Sequence, residues 1–182
     1  MPGEARDRKL IIRVADVADI GELAAIGSRV FWDSYGSSAP DADIASHVVS
    51  FFSEEAIAQE IRRDEVCYLK ACDGDNIAGL VKMRDGDMPE LVAEFGASSA
   101  REVQQLYVSA DYQRRGIGAL LLNAAVADTR ERNIDGVWLS VWSEADWAVN
   151  FYVKYGFRSL GNVSFRIADV EYVDELMWLE VG

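Results

Sequence analysis

One segment limits the architecture more than any other. Gln104-Gln105-Leu106-Tyr107-Val108 is followed, after a short turn, by Gln113-Arg114-Arg115-Gly116-Ile117-Gly118-Ala119 and then by a helix-like run over 120–132. The β-branched and aromatic residues up to Val108 read as a strand, whereas the apolar residues Ile117, Leu121, Ala124 and Ala125 keep helical spacing. The loop therefore delivers the chain from a strand to a helix N-terminus. Glycine at 116 and 118 lets the backbone approach a ligand closely, and the first-turn amides, lacking intrahelical partners, point their N–H groups at whatever sits there. An anion is the expected guest.

Two glycines before a helix also describe a plain turn, so the surrounding residues must decide. A Walker-type phosphate loop needs Gly-Lys-Ser/Thr, which does not occur, and a dinucleotide fingerprint needs a third glycine where Leu121 stands. The pattern Gln113-x-x-Gly116-x-Gly118 instead resembles the (Gln/Arg)-x-x-Gly-x-(Gly/Ala) acetyl-coenzyme A signature of the GNAT N-acetyltransferases. A second block, Ala148-x-x-Phe151-Tyr152-x-Lys154-x-Gly156-Phe157, is similar to the later block of the same superfamily, in the same order and at a fitting separation. The resemblance spans roughly residues 11–181.

Bulk properties agree with one enzyme-sized domain over 1–182. The chain has 182 residues, 50% of them hydrophobic, enough for one core and too few to divide comfortably into two. Residues 1–9 are polar and charged, unlike a signal peptide or anchor, and no run is of membrane-spanning length. Cys67 and Cys72 are five apart on an expected strand and point to opposite faces, so neither a disulfide framework nor a metal site is expected, and the setting is cytoplasmic. Thirty-one acidic residues against 18 basic ones give a formal charge of -13. Such a surface repels nucleic acid and anionic membrane and concentrates cationic partners, although it also serves simply to keep a small protein soluble.

The periodicity predicts a strand over 10–14, and Asp16 with Asp19 reads as an acidic helix start before a helix ending near Phe31-Trp32-Tyr35. A loop over 36–40, a helix over 41–52 and a Ser53-capped helix to about 63 follow. Strands over 66–71 and 77–84 form a hairpin across 73–76, and 85–100 reads as loop. Strands over 103–108 and 137–142 flank the long helix, then a helix over 147–155 and strands over 157–165 and 173–181 complete an α/β chain. The resemblance adds the GNAT fold: a mixed, mostly antiparallel sheet that splays beside its coenzyme-binding strand, flanked by helices.

Site residues follow from the same resemblance. It implies acetyl-CoA as co-substrate, with backbone groups of Leu106, Tyr107 and Val108 along the pantetheine arm. Gln113, the amides of Arg114, Arg115, Gly116, Ile117, Gly118 and Ala119 surround the pyrophosphate. Transfer to an amine also needs a neutral nucleophile, and freeing an amine of pKa about 10.4 costs roughly 4 kcal/mol at pH 7.5. Glu102 matches the general-base glutamate of part of the superfamily and is the first candidate; a water relay is the other. Gln104 shares its face by strand alternation and would position the amine. Tyr152 matches the tyrosine beside the coenzyme sulfur. Full transfer from a phenol near 10 to a thiol near 8.5 is uphill by about 2 kcal/mol, which favours hydrogen-bond stabilisation of the thiolate. An asparagine usual before the last helix is replaced by Ala145, leaving Asp146 to cap it.

For the acceptor, Phe31-Trp32-Asp33-x-Tyr35, then Phe51-Phe52-Ser53-x-Glu55-x-Ile57, and the closing Asp174-Glu175-Leu176-Met177 resemble bacterial spermidine/spermine N-acetyltransferases. Trp32, Asp33, Tyr35 and Glu55 are the candidate contacts for a small cationic amine, through cation–π and ion-pair chemistry, against the plainer reading of an aromatic core. The alternatives are acetylation of a protein or peptide N-terminus or another small amine, and a non-catalytic acetyl-CoA sensor. Homodimers are common in this superfamily, though the chain carries no independent sign of an interface. His47 reads as structural, and no metal is required.

Overall fold

The first strand, β1 (Ile11–Val14), forms where the β-branched run predicts it. The computed structural model describes residues 10–36, 41–167 and 170–182; the expectations placed on residues 1–9 and 37–40 lie outside them. Asp16 then closes a reciprocal capping box, accepting from the Ala18 amide while its own amide donates to Asp19, each at 2.8 Å. That box heads a single tight turn, which runs on into α1 (Ile20–Tyr35). α2 (Asp41–Phe52) follows, and the Ser53 hydroxyl accepts from Ala56 at 3.2 Å to start α3 (Glu54–Glu60). This helix ends three residues short of the expected 63, because the Arg63 amide turns back onto the Glu60 carbonyl to deliver the next strand.

The hairpin β2 (Val66–Asp73) and β3 (Asn76–Asp85) forms as expected. The stretch over 85–100 is not simply loop. It contains α4 (Glu90–Glu94), entered through Pro89, whose Val92 is fully buried against Leu176 and Trp178. The strand after it starts earlier than its apolar run, giving β4 (Ala100–Val108). Then come α5 (Ile117–Glu131), β5 (Gly136–Trp142), α6 (Asp146–Tyr155), β6 (Arg158–Ile167) and β7 (Val170–Glu180). Ala145 precedes α6 without a side-chain cap, and Asp146 is its first residue rather than its cap.

The seven strands lie in the order β1-β2-β3-β4-β5-β7-β6, antiparallel throughout except at β4–β5. Alternation sends two sets of side chains to opposite faces. Val81, Met83, Val103, Val137 and Leu139 pack with Leu121, Leu122 and Ala125 of α5, while Tyr68, Ile77 and Leu80 pack with Leu23 of α1 and Ile57 of α3. The fold is thus the expected mixed sheet between helical layers.

The feature that makes a site is the parallel seam. β4 pairs with β5 only over Ala100–Glu102 against Gly136–Trp138, and beyond that point the strands part. Ser140, on a strand with neighbours in the sheet order on both sides, is consequently exposed. The closed end is fastened by Arg101, 1% exposed, which forms ion pairs with Asp85 and Asp128.

Candidate active site

β4 is shaped by an extra residue. Its register against β3 runs from Val103 opposite Met83 directly to Gln105 opposite Lys82, so Gln104 is a bulge. Strand alternation, which would keep Glu102, Gln104 and Leu106 on one face, breaks there. Leu106 and Val108 join Val103 in the α5-side core, and Tyr107 packs on the α1 side. Gln104 is exposed at the bulge, so the direction of its side chain is set by the bulge and not by alternation. From Val103 to Val108 the β5-facing backbone edge has no strand partner among the described residues. It is a free edge for an extended arm to join.

The loop after β4 is built from its own side chains. Gln113 donates its amide to the Val108 carbonyl at 3.2 Å, so this residue shapes the loop. Arg115 lies over the Tyr112 ring, 5.2 Å from its centroid, and Tyr112 donates to Asp73 at 3.2 Å. Arg114 (φ 59) and Gly116 (φ 80) both adopt left-handed backbone. A Cβ added at Gly116 would meet no heavy atom within 4 Å, which leaves open space on the ligand side. Gly118 has a different duty: a Cβ there would stand 3.2 Å from the Phe151 ring, so this glycine lets α6 lie against the start of α5. The first amide bonded within α5 is that of Leu120, to the Gly116 carbonyl at 3.0 Å, and those of Ile117, Gly118 and Ala119 precede it. These are the groups that fit a pyrophosphate.

α6 thereby carries Tyr152 to the splay. Its ring is held edge-on by Phe151 and Phe157, at 5.2 and 5.5 Å between centroids. Burial, with Tyr35 nearby, pushes its hydroxyl well above the usual phenol range. Tyr107 is raised by burial and by the same two neighbours, Tyr35 and Tyr152. Tyr35 itself is pushed up to about 12, by burial, then Asp174 and Tyr172. Tyr35 of α1, Tyr107 of β4 and Tyr152 of α6 therefore lie within electrostatic reach of one another.

Glu102 sits at the apex of the splay, its side chain 17% exposed. Burial raises its carboxyl above the ordinary value against the pull of Arg84 and Lys82. The Arg84 Nε stands 3.2 Å from Oε2, an ion pair without hydrogen-bond alignment, so that oxygen is left without a hydrogen-bond partner. Lys82 is committed elsewhere, to Glu60 at 2.6 Å. A carboxylate that is buried, incompletely paired and raised is what a base for an amine requires. The raised value also has a stability consequence. Glu102 binds its proton more tightly folded than unfolded, so ionisation costs stability; the cost is absent below about 4.5 and complete above the raised folded value. Glu102→Gln is accordingly expected to melt higher than the wild-type protein at pH 7.5, by about 2–4 °C per kcal/mol relieved. The gap should close towards pH 4 in thermal melts.

Of the expected acceptor contacts, the structure brings Tyr35 to the splay and keeps Trp32 beside it in the aromatic cluster of Phe31, Phe52 and Tyr172. Asp33 and Glu55 are exposed and turned outward. Each lies two residues from a buried side chain of its helix (Phe31 and Ile57), about 200° round the axis, so helical phase turns both away from the packed face of its helix. The inward carboxylate of α3 is Glu60, which accepts from Tyr68 and Lys82. His47 stacks on Phe31 at 4.4 Å within the same cluster.

The sequence reading passed over Asp174 and Trp142 as site residues. Asp174 is 6% exposed, and its Oδ1 has no hydrogen-bond partner. It shares a β7 face with Tyr172, opposite Trp142 in register. Only the topology brings these residues beside Tyr35, because β7 reaches β5 from the far end of the chain. No group of three or more metal-ligating side chains forms among the described residues, and none of their helices is long and apolar enough to cross a membrane.

Comparison with known proteins places this geometry. The sequence pattern of the acetyltransferase (GNAT) family matches residues 29–157. An uncharacterized N-acetyltransferase of Lactobacillus delbrueckii subsp. lactis is 27% identical over 168 residues, covering 92% of this chain and 94% of the relative. Among solved structures, the PaiA N-acetyltransferase of Thermoplasma acidophilum in complex with coenzyme A superposes with a TM-score of 0.75 at 19% identity, over 94% of this chain and 99% of the other. The ribosomal-protein-S18-alanine N-acetyltransferase of Escherichia coli superposes at 0.69 with 16% identity, over 96% and 95%.

Proposed function

Because the chain belongs to the acetyltransferase (GNAT) family, and is an N-acetyltransferase as its relatives are named, we propose that it transfers the acetyl group of acetyl-CoA to a primary amine of a polyamine such as spermidine or spermine. Attack is direct, with both substrates bound. What supports this reading is the splay: β4 has a free edge beyond Glu102, a helix N-terminus follows the strand, the Glu102 carboxyl is raised by burial, and the Tyr152 hydroxyl is buried near Tyr35.

The residues fit each requirement in turn. The α5 amides and the left-handed Gly116 cradle the pyrophosphate, and acetyl-CoA supplies an activated thioester once bound. Glu102, directly or through water, takes the proton that leaves the amine as the N–C bond forms. Tyr152 donates its hydroxyl to the sulfur released as the C–S bond breaks. Its raised position makes it a poor acid and a persistent donor, so stabilising the thiolate by a hydrogen bond is its role. Support for a polycationic acceptor comes from the formal charge of -13 and the aromatic, carboxylate-lined side of the cleft around Tyr35. A cytoplasmic setting belongs to the same reading and is supported by the free thiols of Cys67 and Cys72. A peptide N-terminus is the second reading, favoured by the fold shared with an enzyme named for ribosomal protein S18.

Thiol release from acetyl-CoA distinguishes the two. With spermidine, spermine, simple diamines, amino acids and short peptides as acceptors between pH 7 and 9, turnover should be selective for polyamines and rise with pH as free amine accumulates. Turnover of peptides alone would replace the polyamine by a protein acceptor.

A further inference from the structure

Two carboxylates in the cleft differ in how their charge is met. Glu102 lies near Arg84 and Lys82, whose fields offset its own. Asp174 forms no ion pair with a lysine or arginine among the described residues, and the group that offsets its charge is the Ser140 hydroxyl. Yet Asp174 is the more buried by residue exposure, at 6%, and Oδ1 is orphaned. A buried carboxylate with no cationic partner is costly to keep charged, so its natural complement is a cation brought from outside.

Its surroundings specify which cation. Trp142 pairs with Asp174 across the strands. The Trp142 ring stands 5.8 Å from Tyr35 and meets Tyr172 edge-on at 6.2 Å. Three aromatic rings around one carboxylate suit an alkylammonium, through charge-assisted hydrogen bonding and cation–π attraction. Trp142 and Tyr172 also line an open cavity whose wall carries Glu144 and Glu171, so the surface next to the two rings is acidic.

Resting on the polyamine reading above, we infer that Asp174, with Tyr35, Trp142 and Tyr172, forms the subsite that holds a second, non-reacting ammonium group of the acceptor. Chemistry separates the two roles. The attacking amine must be neutral, and an unopposed carboxylate beside it would hold its proton on. Asp174 is therefore suited to the nitrogen that stays charged, and Glu102, with its field already offset, to the nitrogen that reacts. Tyr35 lies near both Asp174, which raises its hydroxyl, and Tyr152, whose hydroxyl it raises in turn.

The test compares butylamine with putrescine and spermidine, so that acceptors differ in their second ammonium. Asp174→Asn should raise KM for putrescine and spermidine by about 10- to 100-fold, the loss of one buried charge-assisted contact, with kcat little changed. Butylamine kinetics should stay within about 2-fold of wild type. Trp142→Phe should give a smaller loss of the same selective kind, and it serves if the asparagine variant does not fold. Equal losses on mono- and diamines, or a fall in kcat alone, would overturn the assignment while leaving the acetyltransferase reading intact. Calorimetry with spermidine on the coenzyme A-loaded protein covers an enzyme that turns over none of these amines. Spermidine binding abolished by Asp174→Asn would then support the subsite while refuting the proposed acceptor; no binding to the wild-type protein would overturn both.

Discussion

Tyr152→Phe is expected to lower kcat by about 10²-fold while leaving coenzyme affinity and melting temperature close to those of the wild-type protein. The substitution removes one oxygen and nothing else. The ring stays wedged between Phe151 and Phe157, and its hydroxyl makes no hydrogen bond within the described structure, so folding loses no partner. A purely structural aromatic at this position would give the opposite pattern, with activity retained. The raised hydroxyl adds a second signature. Because burial keeps the phenol protonated far above neutrality, wild-type kcat should show no alkaline fall from loss of this donor up to about pH 10. Pre-steady-state measurement of thiol release, beside equilibrium binding of coenzyme A, reads both quantities. Unaltered kcat would remove Tyr152 from the chemistry and leave thiolate departure to water.

How much of this was legible in the sequence depends on how local each cause is. The strand, glycine loop and helix over 103–131 were readable because turn chemistry and periodicity act within a few residues. α4 was missed since a five-residue helix has too short a period to see, and its reason for existing, the burial of Val92 under Trp178, is a contact across the chain. For Asp33 and Glu55 the resemblance supplied carboxylates, and helical phase leaves both exposed to solvent. Gln104 depended on a bulge that only the pairing with β3 reveals. Asp174 belongs to the closing segment that carries the resemblance, but nothing local marks it as a contact. Its neighbours Trp142 and Tyr35 come from strands and helices distant in sequence, and what marks it is the combination of 6% exposure and an oxygen without a hydrogen-bond partner.

The two motif glycines look equivalent in sequence and are not, and separating them gives a sharp test of the anion site. At Gly116, φ is 80 and the space beside the Cα is open, so a short side chain fits at the cost of left-handed strain alone, roughly 1–2 kcal/mol. Asparagine and aspartate tolerate that backbone best among residues with side chains. Gly116→Asp places a negative charge where the pyrophosphate must come, and two such charges about 4 Å apart at an effective dielectric of about 20 repel by roughly 4 kcal/mol. Coenzyme affinity should fall by about 10³-fold. Gly116→Asn has the same shape and the same backbone demand without the charge, and it should lose about 10-fold or less. Isothermal titration with coenzyme A on both variants measures the difference, and thermal melts should show them about equally stable. Equal affinities would mean that no anion approaches Gly116, and the phosphate cradle would have to be sought elsewhere in the protein.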